Sequence, residues 1–242
     1  MASRLNNTLW AAALLLTASL GAYAQAVPDI RHYTTANLKT LQFTSEIVNE
    51  NQTELKKISG DIALAYRLHR GSVKYDQPDR LRIEATIPHL VSGVYIINGD
   101  QKKTIAPFYN VTENVAGSPG KKQTLMDFGL ISPEMFNEYN ITYLRTERGL
   151  LVFQTLPKIK TEPLKDIIWI NPTTHITVQR YNYNRDGKLL KWFLYKDPVQ
   201  EAPGIWIPTR VELYNTENKL AGATLYQNII VNQPLDDSLF KI

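Results

Sequence analysis

The sequence predicts a mainly β fold, a single antiparallel sheet or barrel accompanied by a few short helices. Three observations carry that prediction. Between Arg80 and Ala85 the polar residues Arg80, Arg82 and Glu84 alternate with Leu81, Ile83 and Ala85, the period of two that marks a strand with one wet and one dry face. Asn98-Gly99 stands between two β-rich runs, residues 94–97 and 102–106. Asn-Gly is the strongest short signal for a tight hairpin, because both turn residues need positive φ. The second half consists of short apolar and aromatic runs separated at regular spacing by turn residues, as in an antiparallel meander and unlike βαβ units. Val94, Tyr95, Ile96 and Ile97 are apolar on both faces, so both sides of the sheet need cover there, from helices or from a ligand.

Taken in order, Arg4, the apolar run 9–20 and the Ala22-Tyr23-Ala24 motif read as a signal peptide over residues 1–24, cleaved before Gln25. The apolar run is short for a bilayer span. Residues 25–242 then form one domain, expected to be soluble in the periplasm or outside the cell. Pro28-Asp29 opens a predicted helix, capped by Asp29, with Ile30, Tyr33, Asn37 or Leu38, and Leu41 at helical spacing. Residues 41–48 read as the first strand and 49–60 as a polar loop or an extended hairpin tip, with a helix over 54–57 left open. Ile62, Leu64, Tyr66 and Leu68 alternate with less apolar neighbours and suggest a strand reaching Tyr75.

Residues 108–131 are the least regular part, with loop chemistry at 117–122 beside an apolar patch of Leu125, Met126, Phe128, Leu130 and Ile131. Ser132-Pro133 reads as a helix cap and first turn, and Met135, Phe136 and Tyr139 give that helix an apolar side. Such a segment serves either as a lid over a cavity or as ordinary core. Strands follow at 141–145, 150–155, 166–170, 176–183, 189–195, 205–214 and 223–231. Pro208 marks an edge or a bulge, and Leu239-Phe240 can dock back on the domain.

Hydrophobic residues make up 43% and charged residues 21% of the 242, the balance of a folded globular chain. The formal charge of +4 suits anionic lipid head groups or acidic partners, but is equally common in proteins that meet neither. No block of basic residues or paired-aromatic signature suggests nucleic acid as a partner. With no cysteine, disulfides, thiol nucleophiles and thiolate zinc sites are excluded.

His32, His69, His89 and His175 are scattered without metal-ligand spacing, and no zinc helix, nucleophile elbow or phosphate-binding glycine loop is present. Asp236-Asp237 reads as a solvated turn before a calcium site, and Glu84 and Glu212 as strand residues before a glycosidase pair. The sequence thus predicts no catalytic residue, no metal and no cofactor. Asn51, Asn110 and Asn140 sit in N-x-T triplets. What remains is an apolar surplus on the strands, including Tyr95, Ile97, Phe153, Trp169, Trp192, Phe193, Tyr195 and Trp206. It fits a hydrophobic cavity inside a curved sheet or an oversized core.

Several segments together resemble the LolA-like family of periplasmic lipoprotein carriers, the outer-membrane lipoprotein-sorting proteins. They are the signal peptide, the helix before the first strand, Pro78-Asp79-Arg80-Leu81-Arg82, Val91-Ser92-Gly93, Trp169-Ile170-Asn171-Pro172, residues 204–210 (GIWIPTR) and residues 232–240 (NQPLDDSLF). The resemblance implies an incomplete, strongly curved β-barrel whose open side is covered by short helices, with a hydrophobic space between the two. On this pattern that space takes the acyl chains of lipoproteins or lipids. An acyl-chain site is expected at Leu81, Ile83, Tyr95, Ile97, Met126, Phe128, Met135, Phe136, Trp169, Trp192 and Trp206.

The implied function is that of a non-enzymatic periplasmic carrier. It would act as a monomer between an inner-membrane donor and an outer-membrane acceptor, and shuttle its cargo toward the outer membrane. The alternative is a sensor or interaction module of the same fold that binds a lipidated or membrane protein partner. The family's carrier has an arginine immediately before the motif proline, which latches to the lid. Here that position is Gln77, so the same latch is not expected.

Overall fold

The computed structural model describes residues 26–87, 91–159 and 164–242. The expected signal peptide and His89 lie outside the described residues. One arm of the fold comprises β1 (Thr40–Glu50), β2 (Arg70–Asp76), β3 (Arg80–Ile87), β4 (Val91–Asn98), β5 (Gln101–Ala106) and β6 (Tyr109–Asn114). The other comprises β7 (Tyr139–Glu147), β8 (Leu150–Pro157), β9 (Lys165–Ile170), β10 (Thr177–Tyr183), β11 (Leu189–Ala202), β12 (Ile205–Tyr214) and β13 (Leu220–Val231). All thirteen join one antiparallel sheet in the order β6-β5-β4-β3-β2-β1-β13-β12-β11-β10-β9-β8-β7. The first and last strands meet in the middle, and the two arms meander outward from them.

Register follows from alternation. Leu41 faces Tyr75, Phe43 faces Val73, Val73 faces Ile83, Tyr75 faces Leu81, Leu81 faces Ile97 and Ile83 faces Tyr95. Continuous apolar rows therefore cross β1 to β4 on one face, here called inner. A one-residue slip would turn every one of these side chains outward. Register shifts at Gln42/Thr44 and Ile47/Asn49 of β1, and in most pairs of the second arm, add the bends and twist that curve such a sheet.

The topology dictates what covers the inner face. β6 and β7 are consecutive in sequence yet occupy opposite edges of the sheet, so residues 115–138 must cross its whole width. This crossover contains a 3₁₀ turn at Leu125–Phe128 and a single helical turn, α3 (Met135–Glu138). Leu125, Phe128 and Leu130 pack with Phe43, Val73, Leu81, Ile97, Tyr195, Ile205 and Val211 in the main core. Met126, Ile131 and Met135 join Phe153, Ile168 and Ile170 in a second cluster under β8 and β9. Opposite the crossover, Ile96 is buried on the outer face, where the C-terminal turn Asp237–Phe240 lies against β3 and β4. Both faces of the Val94–Ile97 run are thus covered, by protein on each side.

Four expectations are corrected. The helix predicted after Pro28 shrinks to a 3₁₀ turn at Ile30–Tyr33, still capped by Asp29 accepting from the Arg31 N–H. Leu38 and Leu41 are buried instead by extended chain, because the inner face of β1 offers more apolar contact than a lone helix. The strand expected from residue 62 begins only at Arg70. Before it come α1 (Gln52–Ile58) and α2 (Gly60–Ala65), capped by Asn51 and Ser59 side chains. Leu55 and Ala63 on these helices cover Leu213 and Ala221. Ser132 does not cap α3, whose N-cap is Glu134 without a side-chain bond. The hairpin loop is Gly99-Asp100, one residue later than Asn98-Gly99. Asn98 pairs with Gln101, and its amide donates to the Phe240 carbonyl. Pro208 lies in an interior strand, but β13 pairs only with Arg210–Tyr214 of β12. The half that carries the proline is locally an edge on that side.

Gly222 lies directly beneath the Tyr66 ring, where a Cβ would overlap ring carbons. Gly222→Ala is expected to lower stability by about 1–3 kcal/mol through overpacking. In thermal unfolding, the Gly222→Ala/Tyr66→Ala double variant should lose less than the sum of the single losses. Additive losses would contradict this contact.

Candidate functional site

Between the crossover and the inner face lies a cavity of ≈ 430 Å³, within the range of small-ligand pockets. Ile83, Met126, Phe128 and Phe193 supply apolar wall, and exposed Gly120, Lys121 and Gln123 form its rim. A second cavity of ≈ 180 Å³ opens beside it, lined by Tyr75, Leu81, Ile97, Leu125, Met135 and a ring of polar groups.

One end of the larger cavity is polar, and register explains how. Thr155 of β8 pairs with Asp166 of β9, Asp166 with Asn182 of β10, and Asn182 with Lys191 of β11. The four form a row across the inner face. In the next row Arg180 stands between Ile168 and Phe193. Arg180 bonds the Asp166 carboxylate through Nε at 2.9 Å and Nη2 at 2.8 Å, and reaches Asp127 of the crossover through Nη1 at 2.8 Å. Asn182 donates to the other Asp166 oxygen. Burial alone would depress the guanidinium, but Asp166 and Asp127 hold it well above its ordinary range.

Asp127 also closes a capping box, accepting from the Thr124 N–H at 3.0 Å. Sheet and crossover are therefore joined through one carboxylate. Other polar clasps repeat the pattern. The Tyr195 hydroxyl donates to the Met126 carbonyl at 3.1 Å, and the Tyr95 hydroxyl to the Lys121 carbonyl at 3.2 Å. The Thr177 N–H donates to the Gly129 carbonyl at 2.9 Å. Gly129 adopts φ 81°, and a Cβ there would press on the Tyr195 ring, so a tight left-handed turn against the sheet requires glycine.

At the smaller cavity Lys122 is almost wholly buried, 2.9 Å from Glu138 and 3.5 Å from Asp100 in the β4–β5 turn. Burial would lower its ammonium, and Glu138, Asp79 and Asp100 more than reverse that. Asp79 nearby is raised, chiefly by burial. Gln77, before the cis proline Pro78, also ties the sheet to the crossover. Gln77 Nε2 donates to Glu134 of the crossover at 3.3 Å, while its carbonyl oxygen accepts from Lys39 at 3.1 Å.

The residues expected at an acyl site divide into three groups. Leu81, Ile97 and Phe128 are buried in the main core, with Ile83, Tyr95 and Trp206 partly buried against it. Met126 and Met135 lie in the second cluster, with Phe136 at its margin. Trp169 and Trp192 stand on the other face. Trp169 lies between the buried inner residues Ile168 and Ile170, and alternation turns it outward. It joins Tyr181, Trp192 and Tyr214 in an outer aromatic row, with Trp192 stacked on Tyr214 at 4.0 Å. Sequence reasoning missed Arg180, Asp166, Asp127 and Lys191. Polar residues recurring at alternate positions on the inner faces of β9–β11 were the available signal.

A family model described as an uncharacterized protein matches residues 120–242. The chain belongs to that family. No curated protein matches it in sequence. Among solved structures, a LolA superfamily protein from Nitrosomonas europaea matches with a TM-score of 0.61 at 16% identity, over 90% of this chain and 97% of that one. An outer membrane lipoprotein-sorting protein domain from Vibrio parahaemolyticus matches with a TM-score of 0.60 at 11% identity, over 87% and 92%. A DUF1329 family protein from Desulfovibrio piger matches with a TM-score of 0.55 at 12% identity, over 88% and 92%. The fold is LolA-like. Among the described residues no helix is long and apolar enough to cross a membrane.

Asp127→Asn removes the charge that ties the crossover to Arg180 and weakens the capping box. It is expected to cost about 1.5–3 kcal/mol, the worth of hydrogen bonds to a charged group. It should also make residues 115–138 the first site of limited proteolysis. Unchanged stability and cleavage would show that the clasp does not hold the crossover.

Proposed function

We propose that the chain is a non-enzymatic carrier that holds acyl chains of lipoproteins or lipids between the inner face of its sheet and the crossover. On this reading it acts as a periplasmic monomer, takes cargo from an inner-membrane donor and passes it toward an outer-membrane acceptor. The observation that supports it most is the crossover itself. One segment covers the apolar face, is attached through scattered polar clasps, and leaves two cavities beneath it. Polar clasps exchange readily for water, so such a cover opens at lower cost than an all-apolar seam. The LolA-like fold supports the same reading.

The physical balance suits a carrier without chemistry. Burying one CH₂ is worth about 0.8 kcal/mol, so a sixteen-carbon chain represents on the order of 12 kcal/mol. The same amount is lost on leaving a membrane, so transfer is nearly balanced and needs neither catalytic group nor cofactor. Ile83, Phe128, Met126 and Phe193 wall the larger cavity, and lifting the crossover would extend it over Leu81, Tyr95, Ile97 and Trp206. Met135 and Phe136 would move with the cover.

Leu81 is only 2% exposed in a filled region, so a charge there would unfold the protein rather than test binding. Ile83, partly buried at the cavity wall, is the better position. Native mass spectrometry of the chain from residue 25, purified from a periplasmic fraction, should show an extractable acyl-lipid adduct. Ile83→Glu should weaken acyl-lipid affinity by roughly five- to hundredfold, the effect of about 1–3 kcal/mol for an unsatisfied polar group in an apolar wall. A clean unliganded mass that takes up no added lipid would refute the proposal.

A further inference from the structure

Among the described residues, one cation lining the larger cavity, Lys191, is paired with no carboxylate, whereas Lys121 at the rim reaches Glu113 at 3.8 Å. Arg180 is consumed by Asp166 and Asp127, and Lys122 by Glu138 and Asp100. Lys191 lines the same cavity. Among the described residues its ammonium forms no ion pair or hydrogen bond, and it lies 5.8 Å from the Phe193 ring centre. Burial pushes it below the ordinary lysine range, neighbouring Arg180 adds to that, and Asp127 and Asp166 act against it. A half-buried cation with no direct partner among the described residues is a cost to stability. Its side chain could have been apolar at no loss of packing, since Met has similar length and sits readily in irregular gaps.

The polar atoms are also unevenly placed. Lys191, Asn182, Asp166 and Thr155 occupy one row of the cavity floor, and the buried Thr155 Oγ1 has no hydrogen-bond partner among the described residues. Ile83, Met126 and Phe128 lie toward the crossover and the first arm. An occupant that satisfied both regions would be amphiphilic, with a charged end at the floor and an apolar tail along the wall.

We infer that Lys191 receives the anionic head, a carboxylate or a phosphate, of an acyl-chain lipid whose tail lies against Ile83, Met126, Phe128 and Phe193. This rests on the acyl-binding function proposed above and specifies its ligand as an anionic amphiphile. A carboxylate or phosphate on Lys191 gives an ammonium that has no direct partner among the described residues a charge-assisted hydrogen bond. A neutral ester or a glycerol head would leave the ammonium unpaired.

The test uses the full mature chain and two fluorescent probes that differ only in the head, cis-parinaric acid and its methyl ester, at pH 8. Lysophosphatidic acid and monoacylglycerol serve as competitors for the phosphate case, and inorganic phosphate controls for a site that binds any anion. The wild type should prefer the acid by about tenfold or more, as expected for a hydrogen bond to a charged group. Lysophosphatidic acid should displace the probe while inorganic phosphate does not.

Lys191→Met should collapse the preference, and Lys191→Arg should restore most of it. Thermal unfolding guards against a folding artefact, because Lys191→Met is expected to melt at or above the wild-type temperature. Equal binding of acid and ester by the wild type overturns the inference alone, as does a preference that survives in Lys191→Met. Displacement by inorganic phosphate overturns the lipid assignment in favour of a free-anion site. Binding of neither probe overturns the acyl-binding function and this inference with it.

Discussion

Two consecutive strands at opposite edges of an unclosed thirteen-stranded sheet leave the chain one route between them. Residues 115–138 run across the inner face, and the rest of the architecture is arranged around that crossing. Leu41, Phe43, Val73, Tyr75, Leu81 and Ile97 can be apolar because the crossover lies over them. The outer face is closed by separate means, the C-terminal turn over β3 and β4 and the aromatic row over β9 to β12. A fully closed barrel would need no such cover, and an open sheet without it would expose a dry face to water.

The crossover is held by two kinds of force. Leu125, Phe128 and Leu130 bury apolar surface, which is non-directional and favours any occupant of the same polarity. The Asp127–Arg180–Asp166 bridge, the tyrosine hydroxyls and the Gln77–Glu134 contact set position and orientation. A buried ion pair is a poor source of net stability, but breaking it by removing one partner is costly. The combination suits a cover with one well-defined closed state whose apolar contacts could be exchanged for an acyl chain.

The strands of the second half, and the rows that put Leu81, Ile83, Tyr95 and Ile97 on one face, were legible because alternation and turn residues act locally. The helix at Gln52–Ile58 was legible only as the alternative left open over residues 54–57, and the one at Gly60–Ala65 was not legible. Ile62, Leu64, Tyr66 and Leu68 alternate as a strand would, and the Asn51 and Ser59 caps decided the outcome. The crossover was legible as an irregular apolar segment. Its path was not, since strand order is a long-range property. Bulk and aromaticity point Trp169 and Trp192 at the cavity, whereas their parity relative to Ile168, Ile170 and Phe193 turns them outward. The polar floor was hidden for the same reason. Asp166, Arg180, Asn182 and Lys191 look like ordinary surface residues until three strands align them.

The central claim is that the crossover is a movable cover over an acyl site. Hydrogen–deuterium exchange with and without a bound acyl lipid tests it most directly. The account predicts altered exchange concentrated in residues 115–138, including the Gly129 and Leu130 amides that bond within the turn, with β1 and β13 at the centre of the sheet unchanged. Lipid binding that leaves the crossover's exchange as it was, or that alters only the outer face, would contradict it.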